Sequence, residues 1–164
     1  MISTLHAPQR SETLGAIKQL LGYLVRNDPA GLDTDGRRDT PNRVLKAWDK
    51  WTEGYTIDPA ELVSKQFEDA GGYNGLIHVE GIPFHSTCEH HLAPIVGKAD
   101  VAYMVGGAGK VVGLSKLPRL VECFARRLQV QERIVAQIVG AIEAHITPKP
   151  RGVAVRIRAE HFCM

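Results

Sequence analysis

The stretch Gly152-Val153-Ala154-Val155-Arg156-Ile157-Arg158-Ala159-Glu160-His161-Phe162-Cys163 decides how this chain folds. Its side chains alternate, so Val153, Val155, Ile157, Ala159, His161 and Cys163 share one face of a strand while Arg156, Arg158 and Glu160 point away. A thiol and an imidazole therefore end an otherwise apolar face. Their counterpart upstream is Cys88-Glu89-His90-His91, where Cys88 and His91 stand three residues apart and can reach one metal from a single tight turn. A buried packing thiol is the commoner fate of an isolated Cys-x-x-His pair. The four-residue cluster with a second His-x-Cys is a different matter: two thiols with imidazoles make a borderline-soft tetrahedral set that suits zinc rather than magnesium or calcium. If the last strand lies beside the Cys88 turn, Cys88, His91 and Cys163 supply three ligands and leave the fourth position open, the pattern of a catalytic zinc. His90 and His161 are then free for proton transfer.

Working outward, 164 residues suffice for one domain with a true core and a small appendage. The 20 Lys and Arg against 18 Asp and Glu give a net charge of +2 without a polybasic run, which argues against nucleic acid as partner. There is no apolar run of transmembrane length and no signal-peptide core at the N-terminus, so no membrane partner and a soluble, cytoplasmic protein are expected. Three cysteines without framework spacing fit a reducing compartment and a metal site. The third, Cys123, sits among Val121, Phe124 and Leu128 at helical spacing and reads as core.

Residues 1–9 carry no pattern and read as a mobile tail. Ser11 opens an amphipathic helix through Leu14, Ile17, Leu21, Leu24 and Val25, ended by Asn27-Asp28-Pro29. Residues 31–38 read as a linker, and Thr40-Pro41 as the cap and first turn of a second helix running past Trp48 and Trp51 to Gly54. A short helical piece is expected after Asp58-Pro59. We therefore expect an N-terminal helical extension over 1–70 and the main domain over 71–164, the boundary marked by Gly71-Gly72.

In the main domain, a strand from Leu76 to Pro83 runs into the Cys88 turn and a second covers Ile95 to Val105. Gly106-Gly107-Ala108-Gly109-Lys110 lacks the glycine spacing and following Ser or Thr of a phosphate loop, and is expected to be a hairpin turn into Val111 and Val112. Ser115 is the expected N-cap of a helix carrying Leu117, Leu120, Val121, Phe124 and Leu128, with Pro118 in its first turn. Free amides there, beside Lys116 and Arg119, can hold phosphates, although a solvated cationic edge is the commoner fate of such residues by themselves. Gln131-Glu132 opens the next helix, with Ile134, Val135, Ile138, Val139 and Ile142 on its apolar face, and Pro148-Lys149-Pro150 stops it. The order is strand, strand, helix, helix, strand.

The runs Ser86-Thr87-Cys88-Glu89-His90-His91-Leu92, Gly97-Lys98-Ala99, Gly113-Leu114-Ser115-Lys116, Phe124 to Arg133 and His161-Phe162-Cys163-Met164, in this order and spacing over residues 39–164, resemble GTP cyclohydrolase I. The resemblance implies an α+β tunnelling fold, an antiparallel sheet with two helices on one face, in subunits that join their sheets into a barrel and stack as a homodecamer with active sites between subunits. It implies Zn2+ on Cys88, His91 and Cys163, and GTP as substrate, converted with water to 7,8-dihydroneopterin triphosphate and formate by attack at guanine C8, ring opening and pterin ring closure. His90 matches the position that protonates N7, and His161 one that assists proton transfer at the metal-bound water. Gln131 and Glu132 match the group that reads the guanine edge. Ser115, counted with His90 and His161 among the catalytic positions, matches the ribose and triphosphate end together with Lys116 and Arg119, and Arg43 matches a phosphate-binding arginine given by a neighbouring subunit.

Members of the family continue beyond the His-x-Cys motif with a phosphate-binding arginine and a closing strand, whereas this sequence stops at Met164. Three readings therefore stand: the zinc enzyme, a catalytically silent zinc- or nucleotide-binding subunit that assembles with full-length partners, and a related tunnelling-fold enzyme of the nitrile reductase branch. His90 and His91 beside Cys88 speak against the last. Folate, tetrahydrobiopterin and deazaguanine synthesis all begin with the same ring expansion, so the pathway stays open.

Overall fold

The computed structural model describes residues 8–28, 30, 34–67, 71–107 and 110–164. The expected tail up to residue 7, Pro29, residues 31–33 of the expected linker, and Ala108 and Gly109 of the expected hairpin turn lie outside the described residues. Two compact units divide between Lys50 and Trp51.

The first unit is helical. α1 (Arg10–Leu24) starts one residue before Ser11, with the Gln9 amide donating to the Glu12 carboxylate at 2.8 Å. Leu14, Ile17 and Leu21 are half-buried, as their helical spacing requires. α2 (Thr34–Trp51) corrects the reading of Thr40-Pro41 as a helix start and of residues 34–38 as linker, because the helix runs through Pro41. A proline inside a helix forfeits one backbone hydrogen bond. Here the turns on either side are tied by side-chain pairs, Asp35 with Arg38 at 3.1 Å and Asp39 with Arg43 at 3.6 Å. Arg10 joins Asp49 at 2.9 Å, tying α1 to α2.

The second unit is built on a four-stranded sheet of order β5-β2-β3-β6. Its long members are β2 (Leu76–Cys88), β3 (Pro94–Met104) and β6 (Gly152–His161), all antiparallel to their neighbours among the three. β5 (Leu128–Gln129) is a two-residue strand parallel to the end of β2. It corrects the expectation that Leu128 continues the preceding helix: α4 (Lys116–Ala125) stops three residues earlier, and Leu128 and Gln129 pair instead with Thr87 and Cys88. A second correction concerns Val111 and Val112, which form β4 against β1 (Gln66–Phe67) rather than a hairpin with β3. The Val112 amide donates to the buried Tyr103 hydroxyl at 2.9 Å, anchoring β4 to the core.

Periodicity explains which face is covered. Ile82, Phe84, Ser86 and Cys88 of β2 and Ile95, Ala99, Val101 and Tyr103 of β3 are buried on one face, with the half-buried Val153, Val155, Ile157 and Ala159 of β6. α4 packs on β2 and α5 (Gln131–His145) on β6. They contribute Leu117, Leu120, Val121, Phe124, Ile134, Ile138 and Ile142, all buried. The fold is α+β, helices on one face of a curled, mixed sheet, and the six residues of α3 (Pro59–Ser64), capped by Asp58 accepting from the Ala60 amide at 2.8 Å, pack against α4 and α5. Cys123 is fully buried, as its helical neighbours predict, and burial pushes its thiol pKa up. The opposite sheet face is charged and carries a cavity of about 730 Å³ lined by Lys98, Asp100, Arg156, Arg158 and neighbours, none of them a candidate ligand. No helix among the described residues is long and apolar enough to cross a membrane.

Register positions the site. Pairing Ser86 with Ile95 and Ile95 with His161 puts the end of β2, the start of β3 and the end of β6 at one end of the sheet. The pairing of Cys88 with Gln129 brings the start of α5 to the same end.

Candidate metal centre

Cys88 is the last residue of β2 and is buried. The chain then reverses through Glu89, His90 and His91: the Leu92 amide donates to the Cys88 carbonyl at 2.9 Å, and the Cys88 amide to the Ala93 carbonyl at 2.8 Å. Closing so short a loop needs one left-handed residue, and Leu92 supplies it with φ 55°. The Glu89 amide donates to the Gln129 carbonyl at 3.1 Å, so the turn also rests on β5.

β6 ends at His161 and Cys163 lies in the turn just beyond, half-buried against the same core as Val153, Val155, Ile157 and Ala159, the side its alternation predicts. The Phe162 amide donates to the Pro94 carbonyl at 3.1 Å, which holds that turn against the start of β3. The result still brings the predicted set together, with the ligand atoms of Cys88, His91 and Cys163 all within 4.8 Å of one another. In a tetrahedral zinc site with bonds of about 2.0–2.3 Å, ligand atoms stand about 3.5–3.8 Å apart. The separation of Cys88 Sγ and His91 Nδ1 is 3.8 Å. That pair stands at tetrahedral separation, and two thiols with an imidazole gathered within 4.8 Å are a donor set that fits zinc.

The electrostatics favour a metal too. The His91 hydrogen bond, with smaller help from the backbone of His90 and His91 and from Cys163, lowers the Cys88 thiol to about 6, against the opposing effect of burial. Cys163 moves the other way, held up chiefly by its contact with Cys88. The first thiol gives up its proton more readily than the second.

His90 Nδ1 is 3.9 Å from Cys88 Sγ, yet the side chain is 63% exposed and its Nε2 faces the Glu89 carboxylate at 3.7 Å. His161 Nε2 lies 3.1 Å from Gln131 Oε1, linking the end of β6 to the first turn of α5. Glu132 stands exposed in that same turn. Ser115 occupies the N-cap position of α4 but is αR and makes no capping hydrogen bond; its side chain does not do the work predicted for it there. The entry to α4 is closed instead by the Lys116 amide donating to the Gly113 carbonyl at 2.8 Å. Lys116 is half-buried and Arg119 exposed. Arg43 is exposed on α2 beside Asp39.

The side chain that sequence reading passed over is Glu89. Its carboxylate takes a two-pronged ion pair from Arg133 of α5, with Nη2 to Oε1 at 2.9 Å and a shorter contact from Nη1 to Oε2. The pair holds Glu89 below the usual carboxylate range. The available signal was a charge inside a metal-binding turn and an opposite charge after Gln131-Glu132.

Comparison with known proteins gives the family. The family model for GTP cyclohydrolase I matches residues 15–164. The chain is similar to the GTP cyclohydrolase 1 of Brucella anthropi, 48% identical over 164 residues, 99% of this chain and 73% of the relative. It is 53% identical over 148 residues to that of a Janthinobacterium species, 90% of this chain and 70% of the relative. A third, from Allorhizobium ampelinum, is 45% identical over 157 residues, covering 96% and 74%. The family model covers most of the chain and the relatives share about half of their residues with it, so the chain belongs to the GTP cyclohydrolase I family.

Proposed function

We propose that the protein converts GTP and water to 7,8-dihydroneopterin triphosphate and formate in a zinc-dependent reaction. The observation that carries this reading is the Cys88, His91 and Cys163 trio, with His90, His161 and Gln131 around it. Those three residues would hold the zinc. When bound, zinc would supply Lewis-acid chemistry that activates water for attack at C8 of guanine.

The chain's own side chains account for the rest. His90 is exposed and free to meet a substrate, and it delivers a proton to N7 as the five-membered ring opens, a task suited to an imidazole near neutral pH. His161 moves a proton beside the trio. With hydrogen on Nε2 it donates to the Gln131 amide oxygen at 3.1 Å and keeps Nδ1 as a base. Glu132 accepts from N1–H and the exocyclic amine of guanine, two donors that one carboxylate can take together, and Gln131 lies beside it. Ser115, Lys116 and Arg119 bind the ribose and triphosphate. Arg43 adds a phosphate contact from a neighbouring subunit in a homodecamer, and residues 71–164 form the catalytic domain.

Incubation with GTP, following formate and pterin absorbance together, tests this reading. Both products in equal amounts are expected. Bound zinc and GTP without either product would instead make the chain a silent subunit. The Glu132→Gln variant refines the test: it should bind GTP more weakly with its zinc unchanged, and unaltered affinity would remove Glu132 from the site.

A further inference from the structure

We propose that Glu89 and Arg133 are positioning residues, whose two-pronged ion pair locks the metal-binding turn to the first turn of α5 and so fixes His90 relative to Gln131 and Glu132. The inference rests on the functional reading above and adds to it a pair to which that reading gives no task.

The structure leaves a gap that this pair fills. Proton delivery by His90 and guanine reading by Glu132 must act on one substrate, but the two residues stand 42 apart in sequence, on segments joined locally by the two-residue β5. α5 has Val130 at its N-cap position, which offers no side-chain cap. The turn itself is short, exposed at His90 and His91, and shaped by the left-handed Leu92. Backbone contact across the gap is the bond from the Glu89 amide to Gln129. Glu89 then reaches over with its side chain, and Arg133 meets it with both Nη atoms.

A planar guanidinium fork on a carboxylate fixes orientation as well as distance, which a single hydrogen bond or a lysine does not. Glu89 Oε1 accepts from Arg133 Nη2 at 2.9 Å and faces His90 Nε2 at 3.7 Å, so one of the two oxygens that dock on α5 also faces the imidazole. The partners are 30% and 43% exposed, and an ion pair so open to water adds little to global stability. Its value lies in geometry: outer partners of metal sites typically change activity or affinity about 10–100-fold when removed.

The test is a double-mutant cycle in the zinc-loaded protein with Glu89→Gln, Arg133→Met and the two combined, with Arg133→Lys as the conservative variant. Each single change should lower kcat for GTP about 10–100-fold, while KM moves by less than about threefold and zinc stays at one per chain. The double variant should be no worse than the poorer single one, because both remove the same interaction. Arg133→Lys, which keeps charge without the fork, should fall between wild type and Arg133→Met. Amide hydrogen exchange without substrate gives a second readout. In both single variants the amides of Glu89, Arg133 and Ile134 should exchange faster together. Wild-type kcat in either single variant, losses that multiply in the double, loss of zinc on Glu89→Gln, or faster exchange confined to one segment would each overturn the clamp. Should the wild type itself leave GTP unconverted, the functional reading fails, and the exchange experiment still decides whether the two segments are coupled.

Discussion

Gly97 is where a single added methyl group should reach the metal centre without touching it. The residue lies in β3 opposite Ala159 of β6. A Cβ built there meets the Arg158 carbonyl oxygen at 2.3 Å, Ala159 Cβ at 2.7 Å and Ala159 Cα at 2.8 Å, where ordinary contact begins at 3.4 Å. None of these atoms sits on a flexible side chain that can turn aside. In Gly97→Ala the two strands must therefore part by roughly 1 Å, which stretches local ladder bonds from about 2.9 Å beyond hydrogen-bonding range. Overpacking of this kind costs about 1–3 kcal/mol. At about 2–4 °C per kcal/mol for a chain of this size, Tm should fall by about 2–12 °C. His161 and Cys163 follow Ala159 at once on the displaced strand. A misplacement near 1 Å costs about 100-fold in turnover. The assay is a melt of the zinc-loaded protein beside initial rates of pterin formation, with Gly140→Ala as control, since a Cβ on that exposed helical glycine meets nothing within 4 Å. The control should melt at or slightly above the wild type. If Gly97→Ala keeps both its Tm and a rate within about twofold of wild type, the close approach of β3 and β6 does not position the site.

Three further outcomes are expected. Cys88→Ser and Cys163→Ser should each lose zinc and turnover together, measured by metal analysis and pterin absorbance on the same sample; activity in a verified metal-free Cys88→Ser protein would contradict the ligand assignment. His90→Ala should retain zinc and lose about 100- to 10,000-fold in turnover, the usual contribution of a positioned acid or base. In metal-free protein, thiolate absorbance should rise in two steps, the first near pH 6 from Cys88 and the second above the ordinary thiol range from Cys163. Because the folded Cys88 pKa is depressed, the stability it contributes is fully present above the unfolded thiol value. That contribution is lost as pH falls through about 6, the opposite of the Cys163 contribution, which is lost as pH rises. Zinc affinity should weaken as pH falls and protons compete for the ligands.

What the sequence disclosed follows from how local its signals are. Alternation on β6 is a period-two pattern, and it told which residues face the helices without knowing the neighbours. The cluster Cys88-Glu89-His90-His91 is likewise local, and its partner thiol was found because an apolar face ends in His161 and Cys163. Pairings were harder. Nothing in Leu128-Gln129 distinguishes one more helical turn from a two-residue strand; its contact with β2 settles the matter. Val111-Val112 read as a hairpin arm because the glycines before it favour a turn, yet its partner is the distant β1. Pro41 read as a helix start because proline is commonest there, and the ion pairs that carry the helix through it depend on side chains whose reach a pattern does not encode. The Glu89–Arg133 pair escaped for the same reason.

The most direct test of the account is to strip the metal from the protein and return zinc stepwise, measuring bound zinc and the rate of formate release from GTP in each sample. The account predicts no turnover in the stripped protein, and a rate that rises in proportion to bound zinc and levels off at one zinc per chain. A rate independent of zinc, or full occupancy of the Cys88, His91 and Cys163 site without formate, would contradict it.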